Sequence, residues 1–184
     1  AMTYREEMLL FNEKFVENKE YECFTTTKYP DRKVAILTCM DTRLSALLPA
    51  ALNIRNGDAK IIKNAGALIK HPFGSVMRSL LICIYELGVR EIWVIGHYDC
   101  GMQAVSAGSM VEKMLERGVK PEAFDQLKQN NVDINEWLKG FRDPAESVRE
   151  TLEIIKKHPL VPEGMDCSGY LMDPLTGRVD IVQT

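Results

Sequence analysis

Apolar and polar positions along this chain fall into blocks whose period changes from one to the next. Over residues 4–18, Met8, Leu9, Phe11, Phe15 and Val16 are separated by charged residues, the spacing of an amphipathic helix. The polar stretch TTTKYPDRK follows, with Pro30 as a helix breaker. VAILTCM, residues 34–40, is apolar on both faces and β-branched at its start, which predicts a strand covered from two sides. SALLPAALNI reads as a short helix around Pro49, and Gly57–Asp58 as a turn. AKIIKNAGAL then gives a second short strand, IIK, that runs into a loop of small residues, NAGA.

Residues 73–87 have the length and apolar content of a buried helix, and Gly88 is a natural stop. EIWVIGHYDC predicts a third strand ending at Gly96. From 109 to 157 the chain is more polar, with helices expected near 109–117, 121–129 and 144–157. Asp143 can cap the last of these, with Pro144 at its first position. CSGYLMD and GRVDIVQ read as two strands joined at DPLTG, too tightly for a crossover and therefore antiparallel.

Strands alternating with helices define the expected fold class. It is α/β, with a mostly parallel central sheet of about four strands, a C-terminal antiparallel strand, and helices on both faces. With no repeat, linker or low-complexity tract, the expectation is a single domain over residues 1–184. It carries an N-terminal helical arm at 4–18 and a helical insertion at 109–157.

Composition narrows the function classes. Hydrophobic residues at 46% and charged residues at 27% are ordinary for a soluble globular domain. A net charge of −3 lacks the basic excess of a general nucleic-acid binder, so no nucleic-acid partner is expected. No apolar run is long enough to span a bilayer, and no membrane partner is expected. The first residues mix acids and bases with apolar side chains and do not match a secretory signal. Five scattered cysteines make a poor disulfide framework and suit a reducing, cytoplasmic location. Cys83, within LLICIYEL, reads as a buried small hydrophobe, and Cys23 and Cys167 as bystanders.

The remaining cysteines carry the candidate chemistry. Cys39 closes the first strand, with Asp41 and Arg43 just beyond it; His97 and Cys100 follow the third. Sites in open α/β sheets lie beyond the carboxyl ends of the strands. If the first and third strands are parallel neighbours, two thiols and an imidazole meet at one rim. That is a three-ligand zinc set with one position left free. Two other readings fit the same residues: buried thiols, or a structural zinc with Asp41 or Asp99 as fourth ligand.

CMDTR at 39–43 followed by HYDCGM at 97–102 resembles the zinc signature of the β-class carbonic anhydrases, in its compact bacterial and archaeal form. The likeness continues through KNAG at 63–66 and residues 78–81 into ELGVREIWVIGH, and covers roughly residues 33–105. The resemblance implies Cys39, His97 and Cys100 as ligands to one Zn2+ per subunit. It implies a lyase that hydrates carbon dioxide reversibly to bicarbonate and a proton through a zinc-bound hydroxide. Asp41 and Arg43 would be catalytic, Asp41 aiming the hydroxide and Arg43 fixing Asp41, with Asp41 a ligand only in a closed state. Asn64, Ala65 and Gly66 would line the substrate pocket. Members with a bicarbonate switch carry Trp and Arg where this chain has Ile36 and Lys63, so that switch is expected to be absent.

The family is usually built from homodimers, and the arm at 4–18 fits a helix laid over a neighbouring subunit. Packing on its own subunit is the alternative. Asp99 is read as holding the ligand turn or facing a partner, His71 as a solvent-exposed loop residue, and His158 as a surface residue. Met8, Met77, Met102, Met110 and Met114 are read as core or interface filler. Two further functions stay open: hydrolysis of carbonyl sulfide or carbon disulfide on the same zinc site, and a non-catalytic zinc-stabilised binding module.

Overall fold

Side chains alternate across the central strands and divide the core into two layers. In the computed structural model, which describes residues 1–184, Ala35 and Leu37 point into one cluster. Val34 and Ile36 point into the other. All six residues of this first strand, β1 (Val34–Cys39), are buried. The others are β2 (Ala59–Asn64), β3 (Glu91–His97), β4 (Asp166–Met172) and β5 (Val179–Val182). They form one five-stranded sheet in the order β2-β1-β3-β4-β5. The first four are parallel, and β5 returns antiparallel to β4 through the turn after Asp173. The expected sheet, its direction and its C-terminal hairpin are all present.

Seven α-helices accompany the sheet: α1 (Tyr4–Glu17), α2 (Leu47–Ala51), α3 (Ser75–Tyr85), α4 (Ala107–Glu116), α5 (Ala123–Gln129), α6 (Ile134–Trp137) and α7 (Pro144–Lys157). The larger core cluster lies between the sheet and α3 and α7, through Met77, Leu80, Cys83, Val148, Leu152 and Ile155. Gly169 lets α7 approach β4 closely, since a Cβ there would lie 2.6 Å from a Val148 methyl. The second face is covered more thinly, by Leu44 and Leu48 from the short segment around α2. Asp143 caps α7 by accepting from Ala145 N–H at 3.0 Å, with Pro144 at the first turn as expected.

Three expectations need adjustment. β3 runs one residue past Gly96 to His97, because its pairing with β4 continues to His97↔Met172. A four-residue helix, α6, was not expected; Asp133 caps it by accepting from Asn135 and Glu136 N–H, a signal too short to stand out in periodicity. His158 is buried, not at the surface. Its Nε2 donates to Pro72 O at 2.8 Å and its Nδ1 accepts from Leu160 N–H at 3.2 Å, so the ring ties the end of α7 to the loop before α3. In α1 no residue is buried, and its contact with its own chain is made by the half-buried Phe15, whose ring lies 6.2 Å from that of Phe24. Its start is well specified, with Thr3 and Glu6 forming a reciprocal capping box. Its apolar side chains nevertheless face outward, Met8 at 71% exposure and Phe11 at 67%.

Candidate metal centre

β1 and β3 are adjacent and parallel, with Thr38 opposite Ile95 at the last shared pair. Cys39 and His97 therefore emerge at the same carboxyl edge. The backbone continues one step past β1 in pairing with β2, Met40 N–H donating to Asn64 O at 2.8 Å. After His97 the chain turns through Asp99, whose φ of 53° lies in the left-handed region that Asp tolerates better than most residues. This turn returns Cys100 toward Cys39. The Sγ atoms of Cys39 and Cys100 and a ring nitrogen of His97 all lie within 4.8 Å of one another, and all three residues are buried.

The donor chemistry fits a zinc ion. His97 Nδ1 lies 2.8 Å from Tyr98 O, a contact that needs the proton on Nδ1. Its Nε2 is the buried side-chain nitrogen or oxygen left with no hydrogen-bond partner. Buried polar atoms are rarely left so, and a metal is the standard resolution for an imidazole facing two sulfurs. Local charge points the same way. The Cys39 thiol is drawn down to about 4, chiefly by the Cys100 S–H and also by His97 and the Gly66 N–H, against the effect of burial. Cys100 is pushed up by Cys39 and by burial, while the Met102 backbone N–H works in the opposite sense. Burial pulls the His97 imidazole down, but the Cys39 sulfur, Tyr98 O and the Asp41 charge outweigh it and the net direction is up. The anionic sulfur this favours at Cys39 is what attracts a cation to a buried site.

Asp41 and Arg43 stand beside this cluster as a rigid pair. Asp41 caps the short 3-10 turn Thr42–Leu44 by accepting from Arg43 N–H at 2.8 Å. The Arg43 guanidinium then grips both carboxylate oxygens, Nε to Oδ1 at 3.1 Å and Nη2 to Oδ2 at 2.8 Å. These bonds hold the Asp41 carboxyl down at about 2. Asp41 Oδ2 lies 3.7 Å from His97 Nε2, so the carboxylate borders the metal position. Arg43 also binds across to the other ligand loop, Nη1 to Asp99 Oδ2 at 3.0 Å and Nη2 to Asp99 O at 2.8 Å. Asp99 thus does hold the ligand turn, and it does so through Arg43.

The small-residue loop is built around Asn64. Its side-chain amide donates to Leu68 O at 2.6 Å and accepts from Leu68 N–H at 3.2 Å, clasping Ala65, Gly66 and Ala67 between them. Gly66 N–H points to Cys39 Sγ at 3.4 Å. Met102 and Phe141 pack against Cys39, Ala67 and Cys100 and give the centre an apolar wall. Gln103 accepts from Cys100 N–H at 3.0 Å. The sequence offered a signal for Gln103 in its spacing from Cys100 and none for Phe141, which arrives from the segment just before α7.

Fold and site together define an α/β protein with a Cys-His-Cys metal-binding group at the carboxyl edge of a mostly parallel sheet. The carbonic anhydrase family matches over residues 34–177, and the chain belongs to this enzyme family, in its β class. The crystal structure of β-carbonic anhydrase isoform I from Trichomonas vaginalis superposes with a TM-score of 0.89 at 36% identity, covering 98% of each chain. The Bacillus subtilis protein YtiB, itself named a carbonic anhydrase only provisionally, is 50% identical over 98% of this chain and 97% of its own length. A carbon disulfide hydrolase from Saccharolobus solfataricus is 34% identical over 81% of this chain and 76% of its own.

Proposed function

We propose that this chain is a zinc carbonic anhydrase that interconverts carbon dioxide and bicarbonate. The observation that carries the proposal is the unpartnered His97 Nε2 facing two thiols, with an ionised Asp41 held at its side. Cys39, His97 and Cys100 would hold the zinc. When bound, it supplies the Lewis acidity that makes water a nucleophile near neutral pH.

The chain's own residues do the rest. Asp41 is ionised at any working pH and can only accept; a proton of the attacking water held at its Oδ2 aims an oxygen lone pair away from the carboxylate, toward the substrate carbon. Arg43 fixes that carboxylate in direction by its two-point grip, which a lysine could not reproduce. Asn64, Ala65 and Gly66 form the small-residue side of the pocket, and Met102 and Phe141 the apolar side suited to a nonpolar gas. The tight Asp41–Arg43 pair is the open arrangement, with Asp41 acting beside the metal and not as its ligand. Ile36, buried in the second core cluster, and Lys63 offer none of the Trp–Arg pair of switch-bearing relatives.

The carbon disulfide hydrolase relative supports a second reading, hydrolysis of a sulfur analogue on the same centre. Assay of the zinc-loaded protein with carbon dioxide, carbonyl sulfide and carbon disulfide separates the two. Hydration well above the buffer rate is the expected result. Sulfide release without hydration would replace the first reading by the second.

The assembly we propose is a homodimer or a dimer-based oligomer in the cytoplasm, one zinc per subunit. No helix is long and apolar enough to cross a membrane. Support for the dimer comes from two incomplete apolar surfaces. One is the outer face of α1, with Met8, Leu9, Phe11 and Val16 exposed. The other is the thinly covered sheet face, where a cavity of about 250 Å3 is lined by Val34, Ile36, Leu52, Ile54 and Trp93. Two copies related by a two-fold axis can cover both surfaces at once. The double substitution Met8→Glu, Phe11→Glu is expected to give half the wild-type mass in sedimentation equilibrium. An unchanged mass would mean that α1 does not hold the subunits together.

A further inference from the structure

After Cys100 the chain runs through α4, α5 and α6 before residues 140–142 bring it back, immediately before α7. It returns to the ligand loop itself. Gly140 N–H donates to Val105 O at 3.2 Å and Phe141 N–H to Met102 O at 3.3 Å. Gln103 closes the third link: its Oε1 accepts from Cys100 N–H at 3.0 Å, and its Nε2 donates to Arg142 O at 3.1 Å. One amide side chain therefore connects the backbone of a ligand to the returning segment. The fit admits only glycine at 140, since a Cβ there would lie 1.7 Å from Met102 O and 2.8 Å from Met102 C. These are backbone atoms, which cannot rotate away as a side chain would.

From this geometry we infer that residues 140–142 brace the Cys100 loop, with Gly140 and Gln103 as positioning residues for the metal centre. The inference rests on the zinc reading above and extends it by giving this segment a task. Cys100 has no regular element beneath it. It follows a left-handed Asp99 and precedes a four-residue 3-10 turn, Gly101–Ala104. Its sulfur is kept in place by what grips that turn. On one side the grip is Asp99 through Arg43; on the other it is the Gly140–Arg142 segment. Alanine at 140 forces the two backbones apart, and the Gln103 bridge cannot then reach both of its partners.

The test compares Gly140→Ala and Gln103→Leu with the wild type and with Gly108→Ala. Gly108 lies in α4, and a Cβ there meets nothing within 4 Å. Zinc-loaded proteins are challenged with a chromogenic chelator, and release rates are measured. Changes to groups that orient metal ligands typically cost about 10–100-fold in affinity, and release from Gly140→Ala and Gln103→Leu is expected to quicken by about that factor. Gly108→Ala should match the wild type. In cobalt-substituted protein, the thiolate-to-metal absorption band should change in the two brace variants and stay fixed in the control. Amide hydrogen exchange over residues 100–105 is followed in the metal-free proteins and should accelerate in the same two. Wild-type protein that takes up no zinc would defeat the functional reading, while the exchange data would still judge the brace. Release, spectrum and exchange all within twofold of wild type in Gln103→Leu, which needs no backbone movement, would overturn the inference even if Gly140→Ala failed to fold.

Discussion

Arg43→Ala is expected to lower carbon dioxide hydration by about 10²-fold or more while zinc content stays at one per chain, because misplacing a reacting group by as little as 1 Å can cost that much. The cause would be lost direction, not lost charge. With Arg43 present the Asp41 carboxyl sits at about 2, against an ordinary 3.8. Removing the guanidinium lets it rise toward that ordinary value, which is still far below neutral pH. Asp41 remains ionised, and the variant should lose activity by a similar factor across the neutral and alkaline range, with no new titration in its profile. What disappears is the two-point hold on Oδ1 and Oδ2. The tie from β1's ligand loop to Asp99 goes with it. Stopped-flow hydration across pH, with metal analysis of the same samples, provides the measurement. Activity within a few-fold of wild type would remove Arg43 from the machinery.

How far the sequence reached depended on the range of the interaction that fixed each feature. β1 and β3 were legible because their burial writes a nearly continuous apolar run, and the Cys39–His97–Cys100 group was noticed because Cys39 and His97 end such runs with Cys100 close behind. Asp143 and Pro144 marked the start of α7 through local capping chemistry. Asn64 was noticed as part of a small-residue loop, but its clasp on Leu68 was not, since the same letters fit any strand-to-loop junction. His158 was misplaced because its burial is decided by Pro72, a partner distant in sequence. Asp99 is bonded by Arg43, which lies on the other ligand loop, and no local rule names that partner. Phe141 was missed for the same reason. Periodicity and capping report what a residue does with its neighbours in the chain; the grip around Cys100 is made by segments that meet only after folding.

His97→Leu is expected to abolish activity to the buffer rate and, at the same time, to leave the metal-free protein as stable as metal-free wild type or more so. The two halves follow from one atom. His97 Nε2 is buried and unpaired. A zinc ion would satisfy it, and a structural zinc is worth on the order of 10–16 kcal/mol in small domains, so losing one ligand of the set should weaken binding by roughly 10²- to 10³-fold. Without metal the same nitrogen is a liability, because leaving a buried polar group unsatisfied costs about 1–3 kcal/mol. Leucine is similar in size and carries no such group. The substitution also takes the His97 Nδ1 bond from Tyr98 O, which sets a smaller cost against this gain. Thermal unfolding of both proteins, first with a chelator and then with zinc, reads the sign directly. Zinc should raise the melting temperature of the wild type and hardly move that of the variant, while the chelated variant should melt no lower than the chelated wild type. If zinc stabilised both equally, Nε2 would not be a ligand, and the unpaired nitrogen at the centre of this site would need another partner.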